Sequence, residues 1–185
     1  YVTLCEFIKN DVYIEMINEI IKCKHELKGP PQIQLYYSIN MDKCNGLLND
    51  WNILLRSYIW KEFLRNICDF SVNIDKCYIE ERMYKCGNYS IATELNPFKD
   101  ITGLDVIFTM LDDIKIDTWQ DHFGGIIHYT SINDDKEIKQ FLEDETDDDI
   151  DIKNDDDGII LSLYPIPNTL NIVYRLDKGI IHFVK

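Results

Sequence analysis

The hydrophobic periodicity of the chain changes once, near residue 75, and this change constrains the fold more than any other feature. Before it, apolar side chains recur three and four positions apart, which predicts one helix over about 11–27, ended by Gly29, Pro30 and Pro31, and a second over about 47–67. Residues 33–39 predict a strand between them. After it, seven short β-rich runs are separated by Gly, Pro, Asn and Asp: 80–84, 89–95, 103–111, 125–132, 158–166, 169–175 and 179–184.

This order of elements predicts the α+β class. The length of 185 residues suits one domain, in which we expect residues 1–75 to form a mainly helical buttress and 76–185 a β-rich core. The core is expected to be a closed or sandwiched antiparallel sheet with the helices packed on one face. A low-complexity tract, about 133–157, interrupts it and is expected to form a loop between two strands.

The negative charge of the chain is concentrated in that tract. Of the net charge of −14, residues 143–157 contribute −9, from ten acidic residues and one lysine. Two interpretations of the tract stay open: a solvated loop, or an arm that docks a basic partner. Nucleic acid is disfavoured as a partner, because its phosphates would repel so acidic a chain.

The six cysteines are spread singly and form no C-x-x-C pair of the kind that holds zinc. We expect reduced, mostly buried thiols, because a chain with a full apolar core does not need disulfides. No apolar run reaches the roughly 18 residues of a membrane-spanning helix. The chain begins at Tyr1 rather than Met and ends within an apolar segment, so we expect it to be part of a longer protein.

Several segments, taken in order, resemble one family. Residues 80–89 (EERMYKCGNY), 104–108 (LDVIF) and 118–125 (TWQDHFGG) are followed by 165–170 (PIPNTL), 173–175 (VYR) and 183–185 (FVK), with 28–31 (KGPP) and 54–57 (LLRS) upstream. Together they resemble the C-terminal domain of the eukaryotic 2-oxoglutarate- and iron-dependent prolyl hydroxylases that act on a small-subunit ribosomal protein. The signature positions of the resemblance are Tyr84, Gly87, Tyr89, Trp119, Gly124, Gly125, Asn168 and Arg175.

The resemblance implies a protein with two double-stranded β-helix domains, a jelly-roll or cupin-like fold. In that family the N-terminal domain holds Fe(II) and 2-oxoglutarate and is catalytic. The C-terminal domain keeps the fold without the chemistry and is linked to partner binding and to control of protein degradation or translation. For this chain the resemblance implies no cofactor, an attached catalytic domain, a protein partner such as a basic ribosomal protein, no membrane, and a cytoplasmic or nuclear location.

The histidines do not supply the ligand pattern of the catalytic domain. Catalytic members hold Fe(II) with two histidines and a carboxylate, and the first two ligands come as H-x-D or H-x-E because alternate strand residues point to the same side. None of the four histidines is followed at the second position by an acid: Leu27 follows His25, Gly124 follows His122, Thr130 follows His128 and Val184 follows His182. Where the resemblance places the pair stand Thr93 and Leu95, and His182 falls near the distal ligand position. We therefore expect no metal site and no catalytic residue.

Two other interpretations stay open. One is an active oxygenase with an unusual ligand set, in which the strand residues His128 and His182 converge. Its candidate ligands are His122, His128 or His182 with Asp105 or Asp121. The other is a scaffold with no oxygenase attached.

Three signature positions also have structural interpretations. Arg175 is expected to cap a strand edge or to pair with an acid. Gly124 and Gly125 are expected to form a turn with positive φ rather than a phosphate-binding loop, because a strand and not a helix follows them.

Overall fold

A computed structural model describes residues 1–68, 77–91, 102–111, 123–131, 158–175 and 179–185. In these ranges the chain forms three α-helices, one short 3₁₀ helix and nine strands. The helices are α1 (Asn10–Lys22), α2 (Gly46–Arg56) and α3 (Tyr58–Cys68), with the 3₁₀ turn at Met41–Lys43. The strands are β1 (Val2–Leu4), β2 (Glu26–Lys28), β3 (Gln34–Ser38), β4 (Tyr89–Ser90), β5 (Gly103–Thr109), β6 (Ile127–Ser131), β7 (Ile159–Leu163), β8 (Thr169–Arg175) and β9 (Ile180–Val184).

The strands build two antiparallel sheets. Within the described ranges, the smaller sheet has the order β1-β8-β5 and the larger one β2-β3-β4-β9-β6-β7. Several pairs join strands that are far apart in the sequence, such as β1 with β8 and β4 with β9. The expected α+β class with antiparallel sheets is confirmed.

The helices cover one face of the smaller sheet. Leu170 and Ile172 of β8 project from this face and pack with Trp60 and Leu64 of α3 in one buried cluster. Phe108 of β5 joins this cluster and also contacts the neighbouring one, which contains residues of α1 and α2. Alternate residues of each strand, which point to the same face, therefore form the contact between the helical layer and the sheet.

The opposite face of the smaller sheet packs against the larger sheet. Its buried centre consists of Val173 from β8 with Tyr129 from β6 and Leu163 from β7. Partly buried apolar residues of β5, β6, β7 and β9 surround them: Ile107, Ile127, Leu161 and Ile180. The order of layers is therefore helices, smaller sheet, larger sheet, and the space between the sheets contains the polar site described below.

The first helix is shorter than its periodicity predicts. It ends at Lys22, and Cys23 has an extended backbone with ψ 151°. Glu26–Lys28, which we expected to be helical in part, instead forms β2 and pairs with β3. The pairing provides these residues with interstrand hydrogen bonds, which outweigh a weak local helix preference.

The second predicted helix is two helices, because Ser57 interrupts it. The Ser57 backbone is extended, with ψ 160°, and its hydroxyl accepts a hydrogen bond from the amide of Trp60 at 3.1 Å. This is the contact of an N-cap residue, so Ser57 begins α3. The break turns the apolar stripe of α3 onto the smaller sheet.

Residues 80–84 are not a regular strand, contrary to expectation. They make one isolated bridge, from Met83 to Tyr37 of β3. The preceding Glu80 and Glu81 contact the same strand through their carboxylates, which accept hydrogen bonds from the Tyr36 hydroxyl and the Ile39 amide. Side chains therefore replace backbone pairing along most of this segment. In contrast, β1 was not predicted, since three residues at a chain start carry too little pattern.

All six cysteines are free thiols, but the expectation that most would be buried is wrong. Three are exposed and three partly buried, because they lie at the ends of elements or in loops: Cys5, Cys77 and Cys86 are exposed, and Cys23, Cys44 and Cys68 are intermediate. Among the described helices, none is both long enough and apolar enough to cross a membrane.

Candidate functional site

Asp105 is the centre of a polar cluster between the two sheets. Its Oδ2 atom lies 3.0 Å from Nε of Arg175 and 3.4 Å from Nδ1 of His182. The same oxygen accepts a hydrogen bond from the Tyr129 hydroxyl at 3.2 Å. The Arg175 side chain is 7% exposed and that of Asp105 16%. Three partners therefore converge on one carboxylate oxygen in a nearly closed interior.

Strand register brings these four side chains together. Asp105 lies opposite Val173 in the β5–β8 pair, and Arg175 lies two residues further along β8, on the same face. Tyr129 and His182 lie opposite each other in the β6–β9 pair. Two members thus come from each sheet, and the cluster joins the sheets across their interface.

The contact between Arg175 and Asp105 is mainly one of charge. Nε and Oδ2 are 3.0 Å apart, and the two groups carry opposite charges. The guanidinium is held from a second side, because Nη1 donates to the carbonyl of Ile180 at 3.4 Å. Arg175 therefore connects β8 to both β5 and β9. Of the two roles expected for it, pairing with an acid is the one observed.

The surroundings keep Asp105 ionised. Burial alone would raise its pKa, but the hydrogen bond and charge of His182, the charge of Arg175 and the Tyr129 hydroxyl outweigh burial, and the pKa lies below its usual value. Burial, and then the Asp105 charge, raise the pKa of Tyr129, whose hydroxyl therefore stays protonated and donates. The cluster is an ionised pair in which Asp105 accepts hydrogen bonds from Tyr129 and His182.

The cluster does not suit a ferrous ion. It offers one carboxylate and one imidazole, and a metal on Oδ2 would lie beside the fixed positive charge of Arg175, which repels it. Among the described residues, no three His, Cys, Asp or Glu side chains are grouped so as to hold a metal. Thr93 and Leu95 lie outside the described residues, so their location rests on the sequence resemblance.

The idea that His128 and His182 converge is wrong. His128 precedes Tyr129 on β6, so it lies on the opposite face of the larger sheet from Tyr129 and His182. There its Nδ1 lies 2.9 Å from the Ser162 hydroxyl, and its ring is 5.2 Å from that of Phe183. Its partners His122 and Asp121 in the alternative ligand set lie outside the described residues. Of that set, only His182 and Asp105 are brought into contact in the described ranges.

Gly124 and Gly125 form the expected turn. Their φ angles are +71° and +75°, a region that favours glycine. The Gly125 amide donates to the Lys185 carbonyl at 2.6 Å, and a Cβ on Gly124 would lie 3.2 Å from the same oxygen. The turn lets the chain approach the end of β9 closely. Its role is structural, and Trp119 of the same motif lies outside the described residues.

Asn168 fastens the N-terminal segment to the turn before β8. Its backbone is left-handed, with φ 51°. Its side chain accepts a hydrogen bond from the Ile8 amide at 3.1 Å and donates to the Ile8 carbonyl at 2.7 Å. Its carbonyl accepts from the Phe7 amide at 3.0 Å. One residue thus places the connection between β1 and α1.

The remaining described signature residues, Tyr84, Gly87 and Tyr89, lie close together in the segment 84–89. The Tyr84 ring packs on that of Tyr36 with centroids 5.7 Å apart. Gly87 turns the chain with φ +82°, and the Tyr89 hydroxyl donates to the Pro31 carbonyl. These contacts attach residues 84–89 to the β2–β3 hairpin and add no reactive group.

Sequence reasoning did not identify Tyr129 and considered Asp105 only as an alternative iron ligand. A signal was present for Asp105, because it shares strand parity with the inward-facing Ile107. A charged residue on the inner face of a strand requires a partner. For Tyr129 no such signal exists, since tyrosines are common at core edges.

The fold and the cluster together define a helix-backed pair of antiparallel sheets with a closed ionic centre. Residues 6–185 match the profile of the oxoglutarate and iron-dependent oxygenase degradation C-terminal domain, and the chain belongs to this family. It is also similar to prolyl 3-hydroxylase sudestada1 of Drosophila melanogaster, with 22% identity over 193 residues. That match covers 100% of this chain and 34% of the relative, so the chain spans about a third of the relative's length.

Proposed function

We propose that this chain is the non-catalytic C-terminal domain of an oxoglutarate- and iron-dependent prolyl hydroxylase. In this proposal it has a double-stranded β-helix core and regulates an attached catalytic domain by binding it or a protein partner. Fe(II) and 2-oxoglutarate belong to the N-terminal domain of the parent protein. Family membership and the name of the fly relative support the connection to a prolyl hydroxylase.

The observation that carries the proposal is that other side chains already bind the Asp105 carboxylate. This carboxylate is the acid nearest to His182, the residue at the expected distal ligand position. It is already neutralised by Arg175 and bound by Tyr129. A catalytic metal needs ligands with free lone pairs and open positions for substrates. Here the carboxylate links two sheets, which is a structural role.

The β-helix architecture is supported by the two facing antiparallel sheets. β1 pairs with β8, near the other end of the chain, and β4, from its middle, pairs with the last strand β9; such long-range antiparallel pairs are typical of jelly-roll folds. The signature turn at Gly124 and Gly125 leads into β6.

Turnover of 2-oxoglutarate by the full-length parent protein tests the proposal. We expect His182→Gln to retain the parent's activity, because the imidazole supplies no ligand. His128→Gln, on the opposite face of the same sheet, is the matched control. The melting temperature of each variant shows that the domain remains folded. Loss of turnover in a folded His182→Gln protein, with normal turnover in the control, would support an active site in this domain instead.

A further inference from the structure

The corner between α2 and α3 exposes an apolar surface. It consists of two side chains from the last turn of α2 and two from the first turn of α3: Ile53, Leu54, Tyr58 and Ile59. Tyr58 and Ile59 are 71% and 72% exposed, Ile53 is 60% exposed and Leu54 37%. Within the described ranges, this is the densest group of large exposed apolar side chains, with four in seven positions. We refer to these four residues as the helix corner.

The domain does not use the helix corner for its own core. The neighbouring residues Leu55 and Trp60 are the ones that pack in the cluster between α3 and the smaller sheet. None of the four corner residues contributes to the buried clusters formed by the described residues. Single exposed apolar residues are common on proteins, but a contiguous group of them is typical of a contact surface.

Charged residues beside the helix corner are paired with each other. Arg56, at the end of α2, lies 3.3 Å from the carboxylate of Asp42. Glu62, one turn further along α3, forms an ion pair with Arg65. An apolar centre next to polar and charged residues is the usual composition of a protein–protein interface. The helix corner has this composition.

The size of the helix corner favours a partner that is covalently attached. Its four residues together expose on the order of 500 Å², comparable to the largest apolar patch of a typical monomer. A stable contact between separate proteins buries about 800 Å² on each side. An attached domain needs a smaller contact, because the connection gives it a high effective concentration.

The position of β1 allows an attached domain to reach the helix corner. This step rests on the proposed function, in which the catalytic domain precedes this one and is therefore connected through β1. Val2 and Leu4 of β1 pack in the same cluster as Trp60 of α3. Because α3 has 11 residues, its two ends are about 16 Å apart. A domain of 100 residues has a radius of gyration of about 13 Å, so it spans this distance.

We propose that the helix corner is the surface on which the attached catalytic domain docks. Because α3 packs directly on β8, this contact connects the catalytic domain to the smaller sheet through one helix. Docking removes Tyr58 and Ile59, the two most exposed corner residues, from water.

Hydroxyl-radical footprinting of the full-length parent and of the 185-residue chain tests the proposal, because it reports the exposure of individual side chains. Oxidation of Tyr58 should be slower in the parent by roughly fivefold or more, since the centre of an interface excludes water. Tyr78, which is 68% exposed, is the matched control. It lies in the segment that contacts β3 of the larger sheet, and its oxidation rate should be the same in both proteins.

A charge in the helix corner should prevent docking. In the parent, Ile59→Asp should return the oxidation rate of Tyr58 to that of the 185-residue chain, because a carboxylate is costly to bury without a partner. Ile160→Asp, at a position on β7 that is 59% exposed, is the control and should leave Tyr58 protected. An unchanged melting temperature of the 185-residue chain with Ile59→Asp shows that the domain itself remains folded.

Equal oxidation of Tyr58 in the parent and in the 185-residue chain would overturn the proposal. Protection of Tyr58 in the 185-residue chain that increases with concentration would identify a second copy as the occupant. Protection that is independent of concentration would identify a segment of the chain itself. Either result contradicts docking of the catalytic domain. None of these outcomes changes the non-catalytic assignment, which turnover by the His182→Gln parent tests separately.

Discussion

Asp105 and Arg175 illustrate how a single buried ion pair constrains this domain. Each charge would be costly to bury alone, and here the two charges compensate each other between the sheets, next to Tyr129 and His182. Because the partners come from both sheets, the group connects them at one defined position. Removal of either charge leaves the other without compensation in the interior.

We expect Asp105→Asn to lower the free energy of unfolding by about 3–5 kcal/mol, because it leaves the Arg175 guanidinium buried without its counter-charge. Glu26→Gln, which breaks the exposed contact with Lys28, is the control and should cost less than about 1 kcal/mol. Chemical denaturation measures both. Equal stability of the two variants would show that the interior pair is unimportant.

The same variant has a pH signature. The pKa of Asp105 is lowered in the folded protein, so its contribution is present above the unfolded carboxyl pKa of about 3.9 and is lost as pH falls through the lower folded value. The stability difference between wild type and Asp105→Asn should therefore shrink in acid. A difference that stays constant down to the acid transition would contradict this assignment.

At this scale the sequence predicts which residue types are unusual but not their partners. The sequence shows Thr93 and Leu95 where the family resemblance places ligands, and it shows an acid, Asp105, within a predicted strand. The partnership of Asp105 with Arg175, seventy positions away, depends on the β5–β8 register, which local pattern does not specify. For the same reason, the opposite orientations of His128 and His182 emerged only from strand pairing.

Among the elements, the strands followed their predictions more closely than the helices. Residues 169–175 form β8 as expected, because Pro167 and Asn168 mark its start and a run rich in β-forming residues follows them. The first predicted helix was too long and the second is two helices, because propensity cannot anticipate a competing strand at Glu26–Lys28 or the capping hydroxyl of Ser57. Tertiary pairing and side-chain caps decided these boundaries.

The connection between β1 and α1 depends on Asn168. Asn168→Ala should lower the free energy of unfolding by about 2–4 kcal/mol, from two lost hydrogen bonds and a left-handed backbone that Ala adopts poorly. Asn168→Gly loses the same bonds without the backbone cost, so it should be about 1 kcal/mol less destabilised. Denaturant midpoints measure the order, and a Gly variant no more stable than the Ala variant would contradict it.

For the whole molecule, the sequence predicted the α+β class and the family, and the structure adds the layered arrangement. Hydrophobic periodicity and turn residues identify the strands. They do not predict that β1 lies beside β8 or β4 beside β9, because such contacts depend on the entire chain. The charge tract at about 133–157 lies outside the described residues, so its docking role stays a prediction. So do the partner and the location.

Binding of Fe(II) and 2-oxoglutarate to the 185-residue chain under anaerobic conditions tests the non-catalytic assignment most directly. Calorimetry with the full-length parent serves as the positive control. We predict that the chain alone binds neither at concentrations that saturate the parent, because Arg175 and Tyr129 occupy the Asp105 carboxylate. Micromolar binding of both ligands by the isolated chain would contradict the assignment.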